Sequence, residues 1–296
     1  MPARNKAPGT PSAKGPVAVA ASLLDRALRR RLATDLRGAI GRSELTLHYQ
    51  PRIRLADGLR NGAEALLRWH HPARGSVPPT AFIPIAEGSD LIVELGGWVL
   101  RRAAEEAARH PQLGRVSVNV SVRQLAAGVL PVQVDLALAE SGLAPERLEL
   151  ELTESLPLAD VTQVAAMLGA LRSRGIGLAL DDFGTGYASF AWLAAAAIQH
   201  PEAGPQPDRA PARPAGRPGD PAGHPRHRQG HAAPPGGRGV ETLAQQALLA
   251  GLGFEEAQGF LFGGPMPLGM LLAGPAAGPA TGLPAAGEAT ASPATG

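Results

Sequence analysis

Five residues at the ends of short apolar runs carry groups that can do chemistry together: Glu64, Asn119, Glu151, Asp181 and Asp182. Carboxylates and one amide oxygen gathered at one place would repel one another unless a hard cation neutralised them, which points to Mg²⁺ or Mn²⁺. Divalent metal at such a cluster suits phosphate chemistry, in which ions activate a water and stabilise the leaving oxygen of a phosphodiester. Asp181-Asp-Phe-Gly-Thr-Gly186 also matches the Asp-Phe-Gly of kinases, but the chain holds no His-Arg-Asp catalytic loop and no suitable Gly-rich loop. His70 and His71 follow Trp69 directly and read as surface histidines beyond a strand, not as metal ligands.

Such a cluster needs a scaffold that brings distant segments to one mouth. Leu24, Leu28, Leu32, Leu36 and Ile40 recur every four residues between arginines, an amphipathic helix starting near Leu23. Leu45–Gln50 alternates as a strand that Pro51 is expected to stop, and Gly62–Trp69 reads as the next strand. Further strands are expected at 115–121, 148–153 and 177–181, and helices around 91–109, 132–140 and 161–174. Alternation of this kind predicts an α/β fold of parallel βα units, and five or six units favour a barrel over an open sheet. In a βα barrel the C-terminal strand ends converge where active sites of that fold lie, and each of the five polar residues stands at such an end.

Composition narrows the alternatives. A chain of 296 residues with 44% hydrophobic content can bury one large core. It has no cysteine, which excludes thiolate catalysis and thiolate metal sites and suits a reducing cytoplasm. No apolar stretch approaches the roughly 20 residues of a membrane span. Arg4 and Lys6 precede the apolar run Val17–Leu24, but Pro8, Pro11 and Pro16 argue against a secretory signal. The net charge of +2 rests on Ala195–Arg238, where six arginines face Glu202, Asp208 and Asp220, so no nucleic-acid polymer is implied.

That same segment breaks the pattern. From 195 to 237 the only large apolar residue is Ile198, among ten prolines and seven glycines, so the stretch offers no core face. Residues 1–21 and 273–296 are Ala-, Gly- and Pro-rich and read as flexible tails, leaving 22–272 as the domain.

Tyr49-Gln-Pro51, Glu64-Ala-Leu-Leu-Arg-Trp69, Asn119-Val-Ser121, Glu151-Leu-Thr-Glu154, Asp181–Gly186 and Ala257-Gln-Gly259 resemble, in order and spacing, the successive motifs of EAL domains. The resemblance runs over residues 23–272. It implies a modified TIM (β/α)8 barrel that hydrolyses cyclic di-GMP to linear pGpG with Mg²⁺ or Mn²⁺. By position, Glu64, Asn119, Glu151 and Asp181 resemble ligands of a first metal, and Asp181 with Asp182 would face a second. Glu64, Asp181 and Asp182 are thereby the catalytic set. Glu154 resembles the residue that steadies the loop after Asp182. Arg68 resembles the phosphate contact, and Gln50 and Gln258 match positions lining the nucleotide pocket. EAL domains often follow a sensor or diguanylate cyclase (GGDEF) domain, which leaves a missing upstream domain open, as it does a homodimer.

The resemblance fails at two points. A catalytic lysine is expected where Glu202 stands, and a metal-binding glutamate where Arg238 stands, although Glu241 is retained. Arginine beside a dication is repelled, not bound. Read one base later, codons for residues 200–207 can encode Thr-Leu-Lys-Leu-Asp-Arg-Ser, the missing motif in register. An out-of-frame segment at about 195–238 therefore accounts for the anomaly. It predicts irregular structure there, a barrel lacking two strands, and loss of activity in the chain as written. The competing function is a catalytically dead EAL remnant that at most binds cyclic di-GMP or a partner protein.

Overall fold

The computed structural model describes residues 16–153, 161–181 and 236–274. They divide between two compact units, one within Met1–Thr46 and Leu67–Leu95, the other within Leu47–Leu66 and Gly96–Gly296.

In the first unit the helix α1 (Pro16–Ala39) buries Leu32 and Leu36 of the stripe expected from the four-residue spacing, together with Ala39, whereas Leu28 of that stripe is exposed. It starts at Pro16, inside the stretch expected to be a tail. Proline suits the first helical position because its fixed φ is already helical and the missing N–H would have no partner there, and the alanine-rich run after it is a good helix former. Ser43 takes a left-handed φ of 57° after the helix, and the Glu44 amide returns to the Ala39 carbonyl at 3.0 Å. Glu44 then anchors the unit. It accepts 2.9 Å from Trp69 Nε1 and 2.6 Å from Arg42 Nε, and these donors hold its carboxyl below the ordinary carboxylate range. Trp69 is fully buried and meets Phe82 of α2 (Pro79–Glu87) edge-to-face at 5.7 Å. His71 is not the free surface histidine expected: its ring stands 5.5 Å from Trp69 and its Nε2 lies 3.4 Å from Asp35.

The second unit is built on a sheet. Its central strands are contributed by β1 (Leu45–Arg54), β2 (Arg60–His71), β4 (Arg115–Val120), β5 (Leu148–Thr153) and β6 (Gly177–Asp181); the short β3 (Gly75–Val77) lies in the first unit, where it turns back antiparallel on the Trp69 end of β2, Val77 opposite Trp69. β2, β4, β5 and β6 pair in parallel in that order, with Glu64 opposite Ser117, Asn119 opposite Glu151 and Thr153 opposite Asp181. Alternate residues of β4 and β5 bury Val116, Val118, Val120 and Leu148, Leu150, Leu152, while the intervening Ser117, Glu149 and Glu151 are buried as well. Burial on both faces is the signature of a parallel sheet covered on each side. The helices α3 (Leu91–Arg109), α5 (Leu130–Ser141) and α6 (Val161–Ser173) lie where the periodicity puts them, and α4 (Val122–Ala126) is a short addition capped by Ser121 with Gln124.

β1 does not stop at Pro51. Its first part pairs with β9 (Met266–Pro267) at Tyr49, and its last part pairs with β8 (Glu256–Ala257) at Ile53 and Arg54. Pro51 lies between these two short ladders, where a missing N–H costs little. β8 in turn pairs in parallel with β7, Gly236–Gly237. These two glycines belong to the segment expected to be irregular. A two-residue ladder is made by backbone alone and asks nothing of side chains, so glycines can form it. The part of that segment before them falls within residues 182–235, outside the described residues.

The described sheet thus runs β6-β5-β4-β2-β1-β8-β7 and does not close, since β6 and β7 end it. The fold is mixed α/β, a TIM-like barrel that is incomplete among these residues.

Candidate active site

The site is assembled in the second unit by strand register and one chain reversal. Glu64 and Glu151 do not stand at the strand ends where they were expected: Glu64 sits mid-β2 and Glu151 mid-β5, buried at 4% and 1% exposure, because β2 runs on to His71 and β5 to Thr153, and Asn119 lies on β4 between those strands. Asn119 Nδ2 donates to Glu64 Oε1 at 2.6 Å. Gln258, next to β8, donates from Nε2 to Glu64 Oε2 at 2.6 Å and to Gln50 Oε1 at 2.9 Å. Gln50 Nε2 donates to the Gly263 carbonyl at 3.1 Å. Glu64, Asn119, Gln258 and Gln50 therefore form one hydrogen-bonded chain from four separate strands or their ends.

Arg238 enters this cluster from the turn that follows β7. Gly237 pairs with Ala257, the Val240 amide donates to the Gln258 carbonyl at 3.1 Å, and the Leu261 amide donates to the Val240 carbonyl at 3.0 Å. The backbone on both sides of Arg238 is thereby fixed. Its guanidinium donates to Glu64 Oε2 at 3.4 Å and forms an ion pair with Glu151 Oε2. The Arg238 side chain is 32% exposed, whereas both carboxylates are enclosed. Burial pushes the Glu64 carboxyl above its ordinary range and the negative charge of Glu151 adds to this, while Arg238, Gln258 and Asn119 oppose it.

Beside Glu151 lies a second buried ion network. Arg52 pairs with Glu149, reaches Glu256 at 2.7 Å and stands 3.7 Å from Glu151. Arg115 meets Glu149 at 3.4 Å, and Asn61 donates to Glu256 at 2.7 Å. Burial works against the Arg52 charge, but Glu149 and Glu256 outweigh it and keep the guanidinium firmly protonated. These residues escape a search for strand-end chemistry. Their signal is Leu148-Glu-Leu-Glu-Leu152, which sends two glutamates to the same face of one strand.

Of the remaining expected site residues, Asp181 closes β6 and Arg68 belongs to the first unit, where its guanidinium donates to the Leu67 carbonyl at 2.9 Å. Asp182, Glu154 and Glu202 lie outside the described residues.

Two carboxylates and an amide are the right donor types for Mg²⁺ or Mn²⁺. Their arrangement does not fit one. Both Glu64 oxygens and one oxygen of Glu151 accept N–H groups, and a guanidinium bridges the two carboxylates. Among the described residues no three His, Cys, Asp or Glu side chains form a group able to hold a metal ion.

Residues 33–200 match the family model described as EAL domain. The chain is 38% identical over 265 residues to the bifunctional diguanylate cyclase/cyclic di-GMP phosphodiesterase MucR of Pseudomonas aeruginosa, covering 82% of this chain and 36% of that protein. It is 35% identical over 243 residues to the cyclic di-GMP phosphodiesterase PdeR of Escherichia coli, covering 80% of this chain and 36% of that one. It spans about a third of the length of these relatives. Among solved structures, the PaMucR phosphodiesterase in complex with c-di-GMP superposes with a TM-score of 0.65 at 31% identity, over 81% of this chain and 99% of that one.

Proposed function

The chain belongs to the EAL domain family, that of the cyclic di-GMP phosphodiesterases, and we propose that as written it binds cyclic di-GMP without turning it over. The observation that carries this reading is the Arg238 guanidinium on Glu64 and Glu151. The resemblance expects a glutamate at that position, and a divalent Mg²⁺ or Mn²⁺ supplying activated water and charge stabilisation. The carboxylates of this chain are instead neutralised by a cation that cannot bind water as a nucleophile or accept an oxygen lone pair. Asp182, Glu154 and the position of Glu202, where the family lysine is expected, complete the set that the resemblance assigns to hydrolysis.

Nucleotide recognition asks less. Gln50 and Gln258 are hydrogen-bonded to each other, and in this reading they line the nucleotide pocket; for Arg68, in the first unit, the resemblance implies a phosphate contact through its guanidinium fork. The setting proposed is the cytoplasm; among the described residues no helix is long and apolar enough to cross a membrane.

The test is to purify the 296-residue protein from a verified gene. Cyclic di-GMP is titrated calorimetrically, then incubated with the protein and Mn²⁺ and the products separated chromatographically. Saturable binding with no pGpG is expected. Turnover that disappears in Glu64→Ala overturns the inactive reading, and absence of any binding overturns the binding one.

A second reading is favoured by the sequence of 195–238, whose preserved spacing and codon degeneracy fit a displaced frame. In that case the parent protein is a working phosphodiesterase. Sequencing the DNA across codons 190–242 decides this directly: an uninterrupted frame encoding Arg238 removes it.

A further inference from the structure

Glu149 and Glu256, then Arg52, then Glu151, then Arg238, then Glu64 form a ladder of alternating charge through the inside of the second unit. Each cation touches carboxylates on both sides. Glu151 is shared, with Oε1 facing Arg52 at 3.7 Å and Oε2 taken by Arg238. Glu64 has one oxygen occupied by Asn119 and the other by Gln258 and Arg238. We infer that Arg238 is a tethered cation, covalently part of the chain, that takes the place of a divalent ion in this cluster and closes it to metal.

Two physical points support the inference. A buried carboxylate pair needs a counter-charge, and a guanidinium fixed by the β7–β8 ladder supplies it with no loss of translational freedom. Once it is there, an incoming dication must both displace hydrogen bonds and stand within a few ångströms of a positive group, which is unfavourable at any plausible effective dielectric. The residue that removes the expected metal ligand thus also supplies one positive charge, half of what a divalent ion would have brought.

The inference rests on the family reading only for which metal to try. Mn²⁺ binding by the full chain is measured by calorimetry and by loss of the free-ion paramagnetic resonance signal, without nucleotide. Wild type is expected to bind no Mn²⁺ in a Glu64-dependent manner. Arg238→Ala is expected to gain a Mn²⁺ site about tenfold or more tighter than any wild-type binding and lost again on adding Glu64→Gln. Arg238→Lys, which keeps the charge, is expected to behave as wild type. Mn²⁺ binding by wild type that Glu64→Gln abolishes overturns the inference, whether or not Arg238→Ala folds. So does a folded Arg238→Ala with no gain. Cyclic di-GMP binding is titrated separately in chelator, so failure of the binding proposal leaves these outcomes readable.

Discussion

Arg238 and Glu64, separated by 174 residues, meet at 3.4 Å, and the same guanidinium also pairs with Glu151. The position at which the family resemblance expects an acid is filled by a base that binds the very acids it should have joined.

Restoring the frame of 195–238, with Glu202→Lys and Arg238→Glu included, is expected to give cyclic di-GMP hydrolysis with Mg²⁺ or Mn²⁺. Adding Glu64→Ala should then lower turnover by more than about 100-fold, because even residues supporting metal ligands cost roughly 10–100-fold. Chromatographic assay of pGpG checks both. Hydrolysis that survives Glu64→Ala would show that Glu64 has no such role.

Arg52→Met should destabilise the protein by about 3–5 kcal/mol, since it leaves Glu149 and Glu256 buried without their main counter-charge. Urea unfolding followed by circular dichroism measures this. A change below about 1 kcal/mol, the size of an ordinary substitution, would mean that Arg115 and Asn61 suffice to compensate those carboxylates.

Gly259→Ala should loosen Arg238. A Cβ at Gly259 would fall 2.1 Å from the Val240 carbonyl oxygen and 2.3 Å from its nitrogen, backbone atoms that can only shift. Those atoms bond to Gln258 and Leu261 and hold the Arg238 segment. The substitution is expected to cost about 1–3 kcal/mol and to raise protease cleavage after Arg238. Unchanged cleavage and unfolding midpoint would contradict it.

Glu44 makes stability depend on acid. Its folded carboxyl sits below its ordinary value of 4.5, through hydrogen bonds from Arg42 and then Trp69. A depressed carboxylate contributes stability that is fully present above the unfolded value and lost as pH falls through the folded one. The wild type should therefore lose stability more steeply below about pH 4.5 than Glu44→Gln. Urea midpoints measured from neutral pH down through that range check this; parallel curves would place the acid sensitivity elsewhere.

The elements of this protein were legible in the sequence because they are local. A four-residue spacing writes α1, and alternation writes β4, β5 and β6 to within a residue or two. The ordered motifs around Glu64, Asn119, Glu151, Asp181 and Gln258 carried the family. Local rules misjudged two places, the strand continuing through Pro51 and the helix starting at Pro16, because whether a proline interrupts depends on which N–H has a partner, and partners lie elsewhere in the chain. The sequence also showed that residue 238 is an arginine where an acid was expected, and so that the expected metal ligand is absent. Only the tertiary structure decided what that arginine does. Its neighbours are set by the β7–β8 ladder and by parallel register across β2, β4 and β5, which bring Glu64 and Glu151 under one guanidinium. Charge acts through space at a few ångströms, so a residue's chemical role is fixed by the fold that chooses its neighbours, not by its distance along the chain.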